Sequence, residues 1–241
     1  MRSRSLLFIF SITFLLSLIY SNIVNSKTLT KSNREILEII KSGNSVSALQ
    51  KILPFAKKGD SFAQFYLGQM YRLGLHVNEN HQESFKWYRK SAKQGYSSAQ
   101  FYLGNFYLRG TGTPVDIQKA TKWYIKAANQ GHVIAQYHLG RMYQRGDGVS
   151  SNNEKAAKWF NKAANQGYIL AQYKLGLIYI SGDGVSKNNI QAHMWLNLSS
   201  IIGKNTIASI LIDSIEKEMT TSQIQKANTL AKEWLKHHQK K

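Results

Sequence analysis

Gly59, Gly95, Gly131 and Gly167 stand 36 residues apart in a chain of 241. Four pairs keep the same interval: Ala63-Gln64, Ala99-Gln100, Ala135-Gln136 and Ala171-Gln172. So do Leu67-Gly68, Leu103-Gly104, Leu139-Gly140 and Leu175-Gly176, then Tyr71, Tyr107, Tyr143 and Tyr179, then Trp87, Trp123, Trp159 and Trp195. No insertion breaks a column. A fixed period of this length means one supersecondary unit copied in tandem, each copy covering its apolar face with the next.

The unit reads as two helices. At about 100° per residue, Ala63, Leu67 and Tyr71 share a face in a first helix over 61–73, flanked by Gln64 and Gly68. A second helix over 81–94 puts Ser84, Trp87, Tyr88, Ser91 and Ala92 on one side. Asn80, Asp116, Asn152 and Asn188 precede the second helices and are suited to accept the orphan N–H groups of the first turn. The period-36 glycines follow helix ends and suit a left-handed closing residue. Between the helices lie glycine turns such as Gly146-Asp147-Gly148 and Gly182-Asp183-Gly184. Small Ala63 and Gly68 let the helices approach, and Trp87 and Tyr88, at about 150–250 Å² per buried aromatic, supply the area. The expected fold is all-α, a quasi-linear α/α solenoid.

The segments AQYHLGRMYQRGDGV and AAKWFNKAANQG, between Ala135 and Gly167, resemble the Sel1-like repeat, a relative of the tetratricopeptide repeat. The period favours the former over the 34-residue tetratricopeptide spacing. The resemblance implies a right-handed superhelix of helix-turn-helix units at 61–96, 97–132, 133–168 and 169–204. Residues 27–60 are expected to form an N-terminal helical cap and 205–241 a C-terminal helical cap with a basic tail. The first unit departs at its turn, where Gly74-Leu75-His76-Val77 replaces the two-glycine loop.

The fourth unit departs on its outer face. Lys86 and Lys90, Lys122 and Lys126, and Lys158 and Lys162, read as lying opposite the tryptophans, give way to Met194 and Leu198, with Ile201 beyond. Such a face needs a cover. The segment 205–238 supplies one on paper: Thr220 and Gln223 have capping-box spacing, and Ile224, Ala227, Ala231 and Trp234 form an apolar stripe.

At the N-terminus, Arg2 and Arg4 precede the apolar run Leu6–Tyr20, too short to span a bilayer comfortably. With Val24 and Ser26 small, residues 1–26 read as a cleaved secretory signal, the alternative being an inner-membrane anchor at 6–20. The expected location is secreted or periplasmic.

Absent motifs narrow the chemistry. There is no G-x-S-x-G, H-E-x-x-H, Walker loop or G-x-G-x-x-G before a helix, and no cysteine. The seven histidines are scattered, and Asp147 and Asp183 lack the alternating acidic ligands of a calcium loop. No catalytic residue, metal site, cofactor or small-molecule substrate is expected. Lys and Arg number 32 against 13 acidic residues, a formal charge of +19 that attracts anionic partners. An export signal makes an acidic protein or an anionic envelope surface a better partner than nucleic acid.

Three columns of the first helices lie opposite the packing face and vary between units: Tyr66, Tyr102, His138 and Lys174; Gln69, Asn105, Arg141 and Leu177; Leu73, Arg109, Arg145 and Ser181. From these, Tyr66, Gln69, Tyr102, Asn105, Arg109, His138, Arg141, Arg145 and Lys174 form the candidate concave partner face, Tyr and Arg being favoured at hot spots. The family resemblance implies a non-catalytic protein–protein adaptor in bacterial assemblies, the envelope or host contact. The alternatives are a basic protein binding cell-wall or lipid anions, and a β-lactamase-like envelope hydrolase. The hydrolase lacks support, because the cysteines and the S-x-x-K set are missing.

Overall fold

The computed structural model describes residues 31–41, 45–75 and 77–238. Among these are twelve α-helices and no strand. The chain divides into two compact units, the first ending at Gln94 and the second beginning at Gly95. The signal-like segment and His76 lie outside the described residues. Within them, no helix is long and apolar enough to cross a membrane.

The first unit contains α1 (Lys31–Lys41), α2 (Ser45–Lys57), α3 (Ser61–Leu73) and α4 (His81–Lys93). Ile36, Ile52, Ala56, Ala63 and Leu67 form its core. The second unit holds α5 (Ser97–Arg109), α6 (Ile117–Asn129), α7 (Val133–Arg145), α8 (Asn153–Asn165), α9 (Ile169–Ser181) and α10 (Asn189–Gly203). It closes with α11 (Thr206–Glu216) and α12 (Thr221–His238). Each odd-numbered helix from α3 to α9 pairs with the helix after it, as the 36-residue pattern requires.

The hairpins form where local and tertiary signals agree. Asn80, Asp116, Asn152 and Asn188 accept from the backbone N–H three residues on, at 2.7–3.0 Å. Gly68, Gly104, Gly140 and Gly176 are the contact points of each pair. An added Cβ there would lie 2.6–2.9 Å from Tyr88, Tyr124, Phe160 or Leu196. That second-helix column is fully buried in all four repeats, so it, more than the tryptophans, is the core. In the loops, Gly148 and Gly184 combine positive φ with close approach to the preceding repeat. A Cβ on Gly184 would meet the Asn153 carbonyl carbon at 2.3 Å.

The tryptophan columns correct the sequence reading. Trp87, Trp123 and Trp159 are only half-buried. Lys90, Lys126 and Lys162 do not point away from them. Their ammonium groups sit 4.1, 4.5 and 4.3 Å from the ring centroids, because three residues along a helix return to the same side.

Within each compact unit, the repeat glutamines bond helix to helix. Gln94, Gln130 and Gln166 each donate at 2.7 Å to Gln64, Gln100 and Gln136 within their repeat. Gln136 and Gln172 donate backwards to the carbonyls of Ala128 and Ala164. The register equivalent of Gln166 in the fourth repeat is Ile202, so the buried Gln172 Oε1 has no hydrogen-bond partner.

At the C-terminal end, α12 lies across the outer face of α10. Thr220 and Gln223 bond reciprocally as a capping box. Ala231 shares a buried cluster with Met194, Trp195 and Leu198, while Ile201 remains exposed.

Candidate partner-binding face

The candidate face divides between the two units. In the first, Tyr66 and Gln69 are not solvent-facing: each is 4% exposed. Tyr66 packs against the rings of Phe62 and Phe65 at 4.7 and 5.4 Å. Gln69 Oε1 accepts from Arg72 Nη2 at 2.7 Å, and Arg72 Nε also reaches the hydroxyl of Tyr88 at 3.2 Å. A wheel drawn for one helix omits its neighbours, and α3 packs on α1, α2 and α4.

The second unit presents the other seven residues. Arg109 and Arg145 are exposed, and Tyr102, Asn105, His138, Arg141 and Lys174 are half-buried. Asn105 has an internal task. Its Oδ1 accepts the hydroxyl of the fully buried Tyr124 at 2.8 Å. Burial raises the Tyr124 pKa, keeping the hydroxyl a donor. The column Gln69, Asn105, Arg141, Leu177 therefore varies with the core opposite it. A polar group near a tyrosine hydroxyl is needed in the first two repeats. Phe160 and Leu196 remove that need in the last two.

His138 stacks on Tyr124, with ring centroids 5.6 Å apart and planes 10° apart. Burial, with the positive charges of Arg141 and Arg109 adding to it, lowers its pKa to about 4. His132 is held neutral too. Its Nδ1 accepts from the N–H of Ala135 at 3.2 Å, its ring stacks on Phe101, and burial lowers its pKa to about 4. Among the described residues, no ion pair involves Arg109, Arg141 or Arg145. Tyr102 and His138 stand at equivalent positions of successive repeats, and Arg109 and Arg141, close enough to His138 to lower its pKa, have no ion-pair partner among the described residues.

Sequence reasoning overlooked a second feature. A cleft of about 520 Å³ opens beside α8, whose Lys158, Trp159, Asn161 and Lys162 form one wall, with Leu175 and Tyr179 of α9 on the other. Its signal was present as the spacing Trp-x-x-Lys in repeats one to three. Trp159 packs one side on the core around Leu139 and turns the other to this cleft, so the tryptophan column is not wholly interior. Among the described residues, no three His, Cys, Asp or Glu side chains converge to hold a metal ion.

The Sel1 repeat model matches residues 61–96, 97–132, 133–168 and 169–201. The chain belongs to the Sel1 repeat family. Proteins of this family generally serve as protein–protein interaction scaffolds. Two solved relatives share the solenoid. One is c5321, a protective antigen present in uropathogenic Escherichia coli strains, 31% identical over 93% of this chain and 52% of that one, with a TM-score of 0.70. The other is a Sel1 repeat protein from Oxalobacter formigenes, 33% identical over 71% of this chain and 50% of that one, with a TM-score of 0.67. This Sel1 repeat protein therefore spans about half the length of both. No curated protein matches it.

Proposed function

We propose that this Sel1 repeat protein is a non-catalytic scaffold that binds an acidic protein segment through the first-helix face of its second unit. The observation that carries the reading is that Arg109, Arg141 and Arg145 have no carboxylate partner among the described residues, while Arg109 and Arg141 act on the half-buried ring of His138. Carboxylates on a partner would compensate the guanidinium charges in forked, charge-assisted bonds, and the His138 ring would take an apolar residue beside them. Lys174 extends the basic surface. The net charge, +19 for the full sequence and 30 − 13 = +17 without Arg2 and Arg4, adds steering towards anions. Tyr66 and Gln69 are left out because burial withdraws them, and Asn105 because it serves Tyr124.

The setting we propose is the periplasm or the exterior, reached through the signal-like residues 1–26, with anchoring by residues 6–20 as the alternative. Support comes from the basic, apolar and small-residue order of that segment. A fusion of residues 1–30 to a reporter active only after export tests it, and an inactive fusion rejects it.

For binding, the protein is titrated with a fluorescent acidic peptide carrying one central aromatic residue. Arg109→Glu with Arg141→Glu should reduce affinity at least tenfold. Unchanged affinity rejects the face. Preference for heparin or phosphatidylglycerol vesicles over the peptide would instead favour a polyanion or lipid ligand.

A further inference from the structure

The fourth repeat carries, within this chain, an example of a helix docked on the outer face of a second helix. α12 crosses α10 and is held at two columns. Trp234 meets Trp195 with ring centroids 6.5 Å apart, edge to face, and Asn197 Nδ2 donates to Asn228 Oδ1 at 2.8 Å. Between these columns, Met194 and Leu198 lie buried with Ala231.

One repeat earlier, the same columns of α8 read Trp159, Asn161, Lys158 and Lys162, and all four line the cleft. The asparagine distinguishes this repeat, since Ile125 and Arg89 occupy that column in the two before it. The difference from the fourth repeat lies in the middle, where Met194 and Leu198 are replaced by lysines. Lys158 is largely exposed and ion-paired to Glu154 at 2.5 Å, Lys162 lies over Trp159, and Lys155 lies 5.5 Å from the ring centre of Tyr143. Glu154 is the single carboxylate lining the cleft, so most of its positive charge is uncompensated.

We infer that the cleft beside α8 is a docking site for an amphipathic helix of a partner protein, bound as α12 binds α10. The helix presents acidic residues where α12 presents alanines. Its aromatic residue sits against Trp159, its amide pairs with Asn161, and its carboxylates reach Lys158 and Lys162. This face is separate from the arginine face, so either can fail without the other.

The probe is a synthetic, dye-labelled peptide of residues 221–238 carrying Ala227→Glu and Ala231→Glu, titrated against the full chain by fluorescence anisotropy. Its three lysines and three glutamates balance, so attraction to overall positive charge contributes little. The expected result is saturable binding at least tenfold tighter than that of the unaltered peptide. Lys158→Glu with Lys162→Glu should abolish that preference, whereas Lys86→Glu with Lys90→Glu should leave it intact. Circular dichroism of both variants should match the parent, since all four lysines are exposed. Absence of saturation, or a preference indifferent to Lys158 and Lys162, overturns the inference. It is also overturned if those two lysines instead govern dimerisation in sedimentation or binding to phosphatidylglycerol vesicles, which would assign the cleft to a second copy or to lipid.

Discussion

The hydroxyl of Tyr124 explains why a residue that looked free to vary is constrained. Tyr124→Phe removes one neutral hydrogen bond and should lower stability by about 1 kcal/mol. Asn105→Ala leaves a fully buried hydroxyl without its acceptor and should cost more, about 1–3 kcal/mol. In urea titrations the double variant should resemble Tyr124→Phe alone, because the stranded group is gone. Equal costs that add would reject the coupling. His132 and His138 set a pH response of known sign. Both are neutral in the fold down to about pH 4, while in the unfolded chain they take up protons near pH 6.5. The unfolded state therefore binds more protons between those values. Stability is fully present above pH 6.5 and declines as pH falls towards 4. The midpoint of thermal unfolding should drop by roughly 5 °C or more between pH 7 and pH 4.5. His132→Asn, which keeps a cap, with His138→Phe, which keeps a stacked ring, should flatten the profile.

Helices and loops contribute at the next scale. Gly182 and Gly184 both have a φ of +79, yet their surroundings differ. A Cβ on Gly182 would find its nearest neighbour at 3.5 Å, whereas one on Gly184 would collide with the backbone of Asn153. Gly182→Ala should cost about 1–2 kcal/mol, the left-handed penalty alone. Gly184→Ala should cost roughly 1–3 kcal/mol more, because backbone rather than a flexible side chain must move. Chemical denaturation of the two variants separates conformational freedom from close approach. α12 acts as a lid on the α10 face. Removal of residues 220–241 uncovers Met194, Trp195 and Leu198, and should give a protein that binds a hydrophobic dye and aggregates at concentrations where the full chain does not. A truncated chain as soluble and stable as the parent would show that the cover is dispensable.

For the whole molecule, charge is the property with the longest reach. With 32 basic and 13 acidic residues, association with an acidic partner should weaken about tenfold or more from low salt to roughly 0.5 M. Salt-independent affinity would move the reading towards apolar docking alone. The helical hairpins, their asparagine and aspartate caps, the glycines at φ of 85–99 and the family were legible in the sequence, since capping and helical periodicity act over a few residues and repeat in register. What the linear pattern could not supply was which outward-looking column meets a neighbour. Tyr66 and Gln69 share their wheel positions with Tyr102 and Asn105, but lie under packing that a single helix does not reveal. Lys162 and Trp159 are three residues apart, yet only their positions in space show a cation over an indole beside an open cleft. Secondary structure follows from short-range preferences written along the chain. Exposure, pairing of charges and the grooves left between helices depend on residues tens of positions away, and those were decided only when the repeats packed.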